Sequence, residues 1–431
     1  MQRLCAEALE RMLTHRGDAG ALVDQALRAD PACVRAHCLR AALIVAGDDE
    51  AARPALAASL DLIEATVADE RDPARRHAAA ARAWLEGGAA AGVQRYGALV
   101  VEQPYDILAL HVAHALDFRL GRRTMLRDRI AQVLPEWDPA APGYASILAM
   151  YAFGLEENGE YRGAEKVARR ALALDPAHLG AVHVVAHVLE MQGRAREGLA
   201  FLAETEAAWP EAHGFSVHLA WHRALFHFDA DDAEAALAVY DAEIANAPAS
   251  SISALADASA LLWRIHLRGF DVADRWRRLA DRWERHSLAG ARAFFIVHAM
   301  MAFAQTDRVA AAARALQALP AGSAATAPDE DVLAPPLTRA LLAFARDDYA
   351  ACIDWLVQVR HIADRCGGSV AQCDLIHLTY TEAAFRAREN GLARALVAER
   401  AALRPRSRLN RILEKRLQAM PGAAGRAALV A

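Results

Sequence analysis

The sequence lacks an uninterrupted apolar run of about 18 residues, the length that a membrane-crossing helix requires. No transmembrane helix is therefore expected, and the sequence predicts no membrane partner. Aromatic residues make up only 6% of the 431 positions, and runs of β-branched residues are sparse. A large β-sheet depends on both residue types, so the composition argues against one.

Signals for export and for disulfide bonding are also missing. The N-terminal segment carries acidic residues and has neither the apolar core nor the small-residue cleavage site of a secretory signal. The six cysteines form no C-x-x-C pair. Cys33, His37 and Cys38 match no standard zinc spacing. We therefore expect a cytoplasmic protein with reduced thiols.

Several sequence patterns of well-known binding and catalytic sites do not occur. There is no phosphate-binding P-loop, no dinucleotide-binding glycine pattern and no G-x-S-x-G elbow. The formal net charge is −5, and basic runs are interleaved with acids or short. Nucleic-acid binding requires clustered, unopposed positive charge, so no nucleic-acid partner is predicted. The sequence requires no particular cofactor.

What the chain does contain is the pattern of packed amphipathic helices. Hydrophobic residues make up 55% and charged residues 24% of the sequence, a composition typical of all-α proteins. Ala145–Pro176 follows the tetratricopeptide template of about 34 residues, with Gly159 at the turn, Ala164 at a small crossing position and Pro176 as a helix stop. Neighbouring segments follow the same register. The prediction is an all-α, tetratricopeptide-like helical-repeat solenoid with a concave inner face.

The repeat pattern also suggests how the chain is divided. We expect N-terminal helical hairpins at 1–104, central tetratricopeptide-like repeats with the candidate site at 105–320, a loop at 321–336, C-terminal helical hairpins at 337–420 and a frayed tail at 421–431.

Histidines recur at inward-facing positions of two consecutive repeats. His183, His187 and Glu190 share one face of a first helix, and His218 and His222 lie on the next first helix. The two H-x-x-x-H pairs are 35 residues apart, close to one repeat. We therefore expect both pairs to line one inner surface.

Two kinds of chemistry fit this pattern. Histidines four apart on a helix can both reach one divalent metal ion, and a glutamate on the same face can be a ligand or a base. Imidazoles oriented by a carboxylate can instead act as general acids and bases without a metal. A third interpretation is that the histidines are ordinary core residues. The helix does not read H-E-x-x-H, so no zinc-protease activity is predicted.

Two further side chains are weaker candidates for the site. Trp221 is either a pocket wall or an ordinary core aromatic residue. Arg264 lies in the apolar segment LLWRIHL, so it is either an internal ion-pair partner of Asp257 or an anion clamp. The segment GGSVAQCDL is expected to be a turn with Ser369 as a helix cap.

Several strings in this chain are similar to one known family. MLRDRIAQVLPEW, YAFGLEENGEYRGAEKVARRAL, AVHVVAHVLEMQGRAREGL, HLAWHRALF and LLWRIHLRG resemble the tetratricopeptide repeat protein 38 family over about residues 106–406. The resemblance implies an all-helical repeat fold and a cytoplasmic protein, without an established activity. Residues that match its pattern are His114, His183, His187, Glu190, His218, Trp221, His222, Asp257, Arg264 and His298.

The chain departs from the family pattern in two places. The family tends to have F-N-D-x-H before its last matching histidine, where this chain has Phe295 and Ile296 at the two polar positions. The family string GGSHAQRD reads GGSVAQCD here, with Val370 and Cys373 in place of histidine and arginine. These changes predict a drier site, suited to a more apolar ligand.

The leading hypothesis is a histidine-lined concave pocket that binds, and acts on, a small or peptide-like ligand. Its alternative is a non-catalytic tetratricopeptide scaffold for protein–protein interaction. A homodimer is compatible with either. The expected catalytic residues are His183, His187, Glu190 and His222. The expected ligand-binding residues are His114, His218, Trp221, Arg264 and His298, and a bound metal would be held by His183, His187, His218 and His222.

Overall fold

The computed structural model of the chain is all-helical. It describes residues 1–47, 49–209, 214–248, 251–289, 291–319, 329–365 and 367–420, and within these ranges no strand occurs. The helices are α1 Gln2–Thr14, α2 Ala19–Ala29, α3 Val34–Gly47, α4 Arg53–Thr66, α5 Pro73–Glu102, α6 Ile107–Arg119, α7 Arg123–Val133, α8 Tyr144–Glu157, α9 Tyr161–Leu174, α10 Leu179–Met191, α11 Ala195–Thr205, α12 Gly214–Asp229, α13 Ala233–Val239, α14 Ile252–Leu267, α15 Ala273–Trp283, α16 Ala293–Ala304, α17 Val309–Gln317, α18 Asp329–Ala345, α19 Tyr349–Val359, α20 Val370–Arg386, α21 Asn390–Leu403 and α22 Arg408–Gln418.

Helix ends fall where the sequence places breakers. The turn between α8 and α9 contains Gly159 with φ 78°, a conformation that costs glycine little because it has no Cβ. The backbone of α5 leaves helical geometry at Gly88, with φ 72°. At both positions a glycine with positive φ interrupts the helical backbone.

The described chain divides into two compact units. The first comprises residues 1–188 and 205–215, and the second comprises 189–204 and 216–431. The boundary falls inside α10, so that helix contributes residues to both units. Each unit has its own apolar core, because a helical hairpin cannot bury its apolar face alone.

Close helix packing in the first unit depends on a glycine. A Cβ on Gly154 of α8 would stand 2.4 Å from the backbone nitrogen of Arg127 in α7. Only a residue without a side chain allows the two backbones to approach this closely. In α9, the small residues Ala164, Ala168 and Ala171 are fully buried, as expected for small crossing positions.

The expected loop at 321–336 is only partly accounted for. Residues 321–328 lie outside the described residues, but from Asp329 onward the chain forms α18, with Pro335 and Pro336 inside the helix. The loop prediction was therefore wrong for residues 329–336. Burial of Leu333 and Leu337 in the core favours the helix there, which outweighs the usual disruption by proline.

Two other expectations concern the chain ends and the membrane. The tail expected at 421–431 lies outside the described residues. Among the described residues, no helix combines the length and the apolar character needed to cross a bilayer.

Candidate functional site

The first histidine pair lies in the first unit, one turn apart on α10. The rings of His183 and His187 have centroids 4.2 Å apart, and a nitrogen of each lies within 4.8 Å of the other. His187 is fully buried, and its Nδ1 lies 3.2 Å from Oε2 of Glu156 in α8. A buried carboxylate thus stands beside the Nδ1 of the more buried histidine of the pair.

Aromatic rings surround this pair within the same unit. The ring of Phe153 lies 5.8 Å from His183 and 5.9 Å from His187, and it also contacts His114 at 6.0 Å. Phe215 packs edge-on against His183 at 5.3 Å. Burial, and then the positive charges near it, lower the pKa of His114 to about 3, so this residue is a neutral wall of the cluster.

Two adjacent carboxylates of this unit were not singled out in the sequence. Glu156 and Glu157, at the end of α8, are both buried, and each offers an oxygen within 4.8 Å of a His187 nitrogen. Glu157 also lies 3.5 Å from Nε of Arg123. Glu156 could have been found from its spacing in the sequence. It precedes Glu190 by 34 residues, the length of one tetratricopeptide repeat.

The second histidine pair lies in the second unit, on α12. Nδ1 of His222 lies 2.9 Å from Oε2 of Glu190, and Nδ1 of His218 lies 2.8 Å from Oδ2 of Asp257 in α14. A carboxylate can only accept, so both Nδ1 atoms carry the proton and donate it. In the neutral imidazole this places the lone pair on Nε2.

Asp257 also controls the charge of His218. Burial by itself lowers the pKa of His218, but the attraction of Asp257 and its hydrogen bond outweigh burial and raise the pKa above its usual value. Asp257 accepts a second hydrogen bond, from Nε2 of Gln372 in α20, at 3.3 Å. The carboxylate is thereby fixed between two side chains, and it orients the His218 ring.

Buried positive charge lies near Glu190 in the same unit. Nη1 of Arg404 is 4.0 Å from Glu190, and Asp374 receives Nη1 of Arg400 at 2.7 Å. Burial favours the neutral form of Asp374, but Arg400 and Arg404 more than offset this effect and lower its pKa. Glu190 therefore belongs to a charge network as well as holding His222.

Trp221 and Arg264 form one wall of the second-unit cluster. The Trp221 indole is fully buried and stacks on His218, with centroids 5.3 Å apart. The Arg264 guanidinium lies 5.6 Å from the Trp221 ring centroid and donates to the backbone oxygens of Ala260 and Ala371. Of the two alternatives for Arg264, the ion pair with Asp257 is not formed, because Asp257 accepts from His218 and Gln372 instead.

His298 has a different environment from the two pairs. Its Nδ1 donates to the backbone oxygen of Phe294, one turn earlier in α16, at 2.8 Å. Burial lowers its pKa to about 4, so it is neutral at physiological pH. His298 lines an apolar cavity in the second unit and is not held by a carboxylate.

The structure thus gathers most of the expected site residues into carboxylate-supported clusters. His183, His187 and His114 lie in the first unit, and Glu190, His218, Trp221, His222 and Arg264 lie in the second. Each H-x-x-x-H pair places two imidazoles on one helix face with a carboxylate behind at least one ring, an arrangement suited to metal binding or proton transfer.

The comparison with protein families gives this site no name. No family model matches the chain.

Proposed function

We propose that this chain binds a divalent transition-metal ion through its histidine pairs and uses it to bind and act on a small or peptide-like ligand. One observation carries the proposal: His218 and His222, adjacent on one helix face, each donate Nδ1–H to a buried carboxylate. Metal-ligating histidines almost always have this support, which fixes the tautomer and makes Nε2 more basic.

The ligand set favours particular metals and leaves room for chemistry. Imidazole nitrogens suit Zn²⁺, Cu²⁺, Fe²⁺ and Ni²⁺ better than Mg²⁺ or Ca²⁺. A pair of histidines fills only part of a coordination sphere, so water or a ligand atom can occupy the remaining positions. In the first unit, His187, Glu156 and Glu157 offer three ligand atoms close together, which makes that pair a candidate of the same kind.

The spacing of the carboxylates supports a repeat origin for both pairs. Glu156 lies beside His187, and Glu190 holds His222. In each case the carboxylate ends the first helix of one hairpin and the histidine lies in the first helix of the next. We therefore take the hairpins as tetratricopeptide-like repeats of a solenoid, as in the tetratricopeptide repeat protein 38 family that the sequence resembles. A cytoplasmic location agrees with the free thiols of the described cysteines.

The same geometry supports acid–base chemistry as a second candidate. The His218–Asp257 pair keeps His218 readily protonated, so its Nε2–H can be given to a ligand and taken back. A non-catalytic scaffold for peptides is the remaining alternative. It is less well supported, because helix faces built for recognition alone do not require buried histidines held by carboxylates.

Metal analysis tests the proposal directly. Untagged protein is analysed by inductively coupled plasma mass spectrometry, with the double variants His218→Ala/His222→Ala, His183→Ala/His187→Ala and His187→Ala/His222→Ala. We expect near-stoichiometric transition metal in the wild type and a loss in the variants. Whether each pair holds its own ion is read from whether a one-pair variant loses part or all of the metal.

The matched control is His227→Ala, a half-buried histidine near the end of α12 that belongs to neither pair. It should leave the metal content unchanged, and circular dichroism should show the same helix content in all variants. Wild-type protein without metal, even after incubation with Zn²⁺ and desalting, would contradict the proposal and favour the acid–base or scaffold alternatives. Loss of helix content in the double variants would show that the histidines are core residues.

A further inference from the structure

The second unit contains an apolar cavity next to the polar cluster. Its volume is about 40 Å³, and it is partly open to solvent. Its walls come from α16, α18, α19 and α20, and most of the lining side chains are aliphatic, such as Met301, Leu337 and Leu341. The character of this wall is that of small-molecule sites, which are mainly apolar with a few placed polar groups.

Most of the polar groups in the cavity wall are engaged within the protein. The Thr379 hydroxyl accepts from Nε1 of Trp263 at 2.9 Å and donates to the backbone oxygen of Leu375. The Gln372 amide accepts from the backbone nitrogen of Ser369 and donates to Asp257. The Cys373 thiol lies 3.6 Å from the backbone oxygen of Gly367. These groups therefore have little capacity left for a ligand.

His298 is the exception. Its Nδ1–H is used by the backbone of its own helix, so Nε2, on the far edge of the ring, carries the lone pair. Among the described residues no donor reaches this nitrogen, although the residue is only 5% exposed. A buried acceptor without a donor carries a free-energy cost, which a bound ligand can remove.

We infer that this cavity binds a small, largely apolar, uncharged molecule that carries one hydrogen-bond donor, a hydroxyl or N–H group, directed at Nε2 of His298. The apolar walls hold the body of the molecule, and the histidine selects its donor. Apart from His298, none of the lining residues is an acidic or basic side chain that could pair with a charged ligand, and burying an unpaired charge here is costly.

The cavity lies next to the proposed histidine centre, but the inference does not depend on that centre. Gln372 lies in the cavity wall and donates to Asp257, the carboxylate that holds His218. A molecule in the cavity therefore lies near one end of that hydrogen-bond chain. The inference uses only residues of α16, α18, α19 and α20, so it stands whether or not the histidine pairs bind metal.

Calorimetric titration with an isosteric pair tests the donor requirement. The full-length protein is titrated with 4-propylphenol and with 4-propyltoluene, which differ by a hydroxyl against a methyl group. The variant His298→Leu removes the acceptor and keeps an apolar wall. We expect saturable 1:1 binding of the phenol, and a preference for the phenol over the toluene that falls by about tenfold in His298→Leu, the value of one hydrogen bond.

A second variant separates the cavity from the acceptor. Val297→Phe adds volume from a half-buried position in the wall, so it should weaken both ligands by a similar factor. If His298→Leu folds poorly, His298→Met serves in its place. No saturable binding of either ligand, or a phenol preference that is the same in wild type and His298 variants, would overturn the inference. Metal removal should change neither result, which distinguishes this test from that of the histidine pairs.

Discussion

Buried histidines in this chain differ in what holds Nδ1. In His178, Nδ1 accepts the backbone N–H of Ala181, and Nε2 donates to Ser146. In His298 the partner of Nδ1 is a backbone oxygen, whereas in His218 and His222 it is a carboxylate. The first arrangement completes a helix start and the last prepares Nε2 for binding. At the residue scale, we propose that a carboxylate partner of Nδ1 marks the histidines that bind metal.

This distinction could be predicted only in part from the sequence. The predicted repeat register identified Glu190, His218 and His222 as candidates, because it places them on inward-facing positions of consecutive predicted repeats. For Arg264 the sequence left two alternatives, an ion pair with Asp257 or an anion clamp, because a buried cation without a partner is costly. Two backbone oxygens take that role, and the choice of backbone over side chain depends on tertiary packing.

His178 provides a pH prediction. Burial lowers its pKa to about 4, below the unfolded value, so between these values the unfolded chain binds more protons and stability falls as the pH falls. From pH 7 to pH 5 the loss attributable to this residue is roughly 2 kcal/mol. Urea denaturation at both pH values should show a loss smaller by this amount in His178→Asn, which keeps a capping oxygen. An equal loss in both proteins would contradict the assignment.

A substitution at Glu190 tests whether this carboxylate supports His222 as a metal ligand. Glu190→Gln keeps the shape but replaces a charged acceptor of His222 by a neutral one. We expect the affinity for Zn²⁺, measured by competition with a chromophoric chelator, to fall by about 10- to 100-fold. The control Glu234→Gln lies exposed on α13 and should change nothing. Unaltered affinity in Glu190→Gln would show that this carboxylate does not serve a metal ligand.

At the scale of elements, the sequence pattern predicted the glycine-containing turns correctly but not the helix α18. Glycine at 88 and 159 marks turns in both sequence and structure, because a positive φ is a local requirement. The loop predicted at 321–336 ends at Pro335 and Pro336, and it was wrong from residue 329 onward. The burial of Leu333 and Leu337 outweighs the effect of these prolines on α18. Local sequence signals predicted the structure correctly where the backbone conformation of one residue decides it. They predicted it incorrectly where side-chain packing decides it.

The α7–α8 contact makes a sharp prediction at this scale. Gly154→Ala places a methyl group against the backbone of Arg127, so the helices must separate, at about 3 kcal/mol of unfolding free energy. Gly163→Ala in α9 meets only Leu155 Cδ1 at an ordinary 3.6 Å and should be neutral or stabilising by about 0.5 kcal/mol. Urea denaturation of both variants measures the difference. Equal stability would show that the helices do not approach through Gly154.

At the scale of the whole molecule, two compact units each supply one H-x-x-x-H pair and neighbouring carboxylates. The proposed repeat architecture would explain why the feature occurs twice, because each hairpin of a repeat protein repeats the positions of the one before it. The account therefore places the function in the first helices of the hairpins, α8, α10, α12 and α14.

X-ray absorption at the metal edge tests this central claim most directly. Protein loaded with one equivalent of Zn²⁺ should show at least two imidazole nitrogens in the first shell at about 2.0–2.1 Å, with the multiple scattering that imidazole rings give. In His218→Ala/His222→Ala that imidazole signal should weaken or disappear, and in His227→Ala it should persist. A first shell without imidazole in the wild type would contradict the account, and so would a spectrum that stays unchanged when His183 and His187 are replaced by alanine as well.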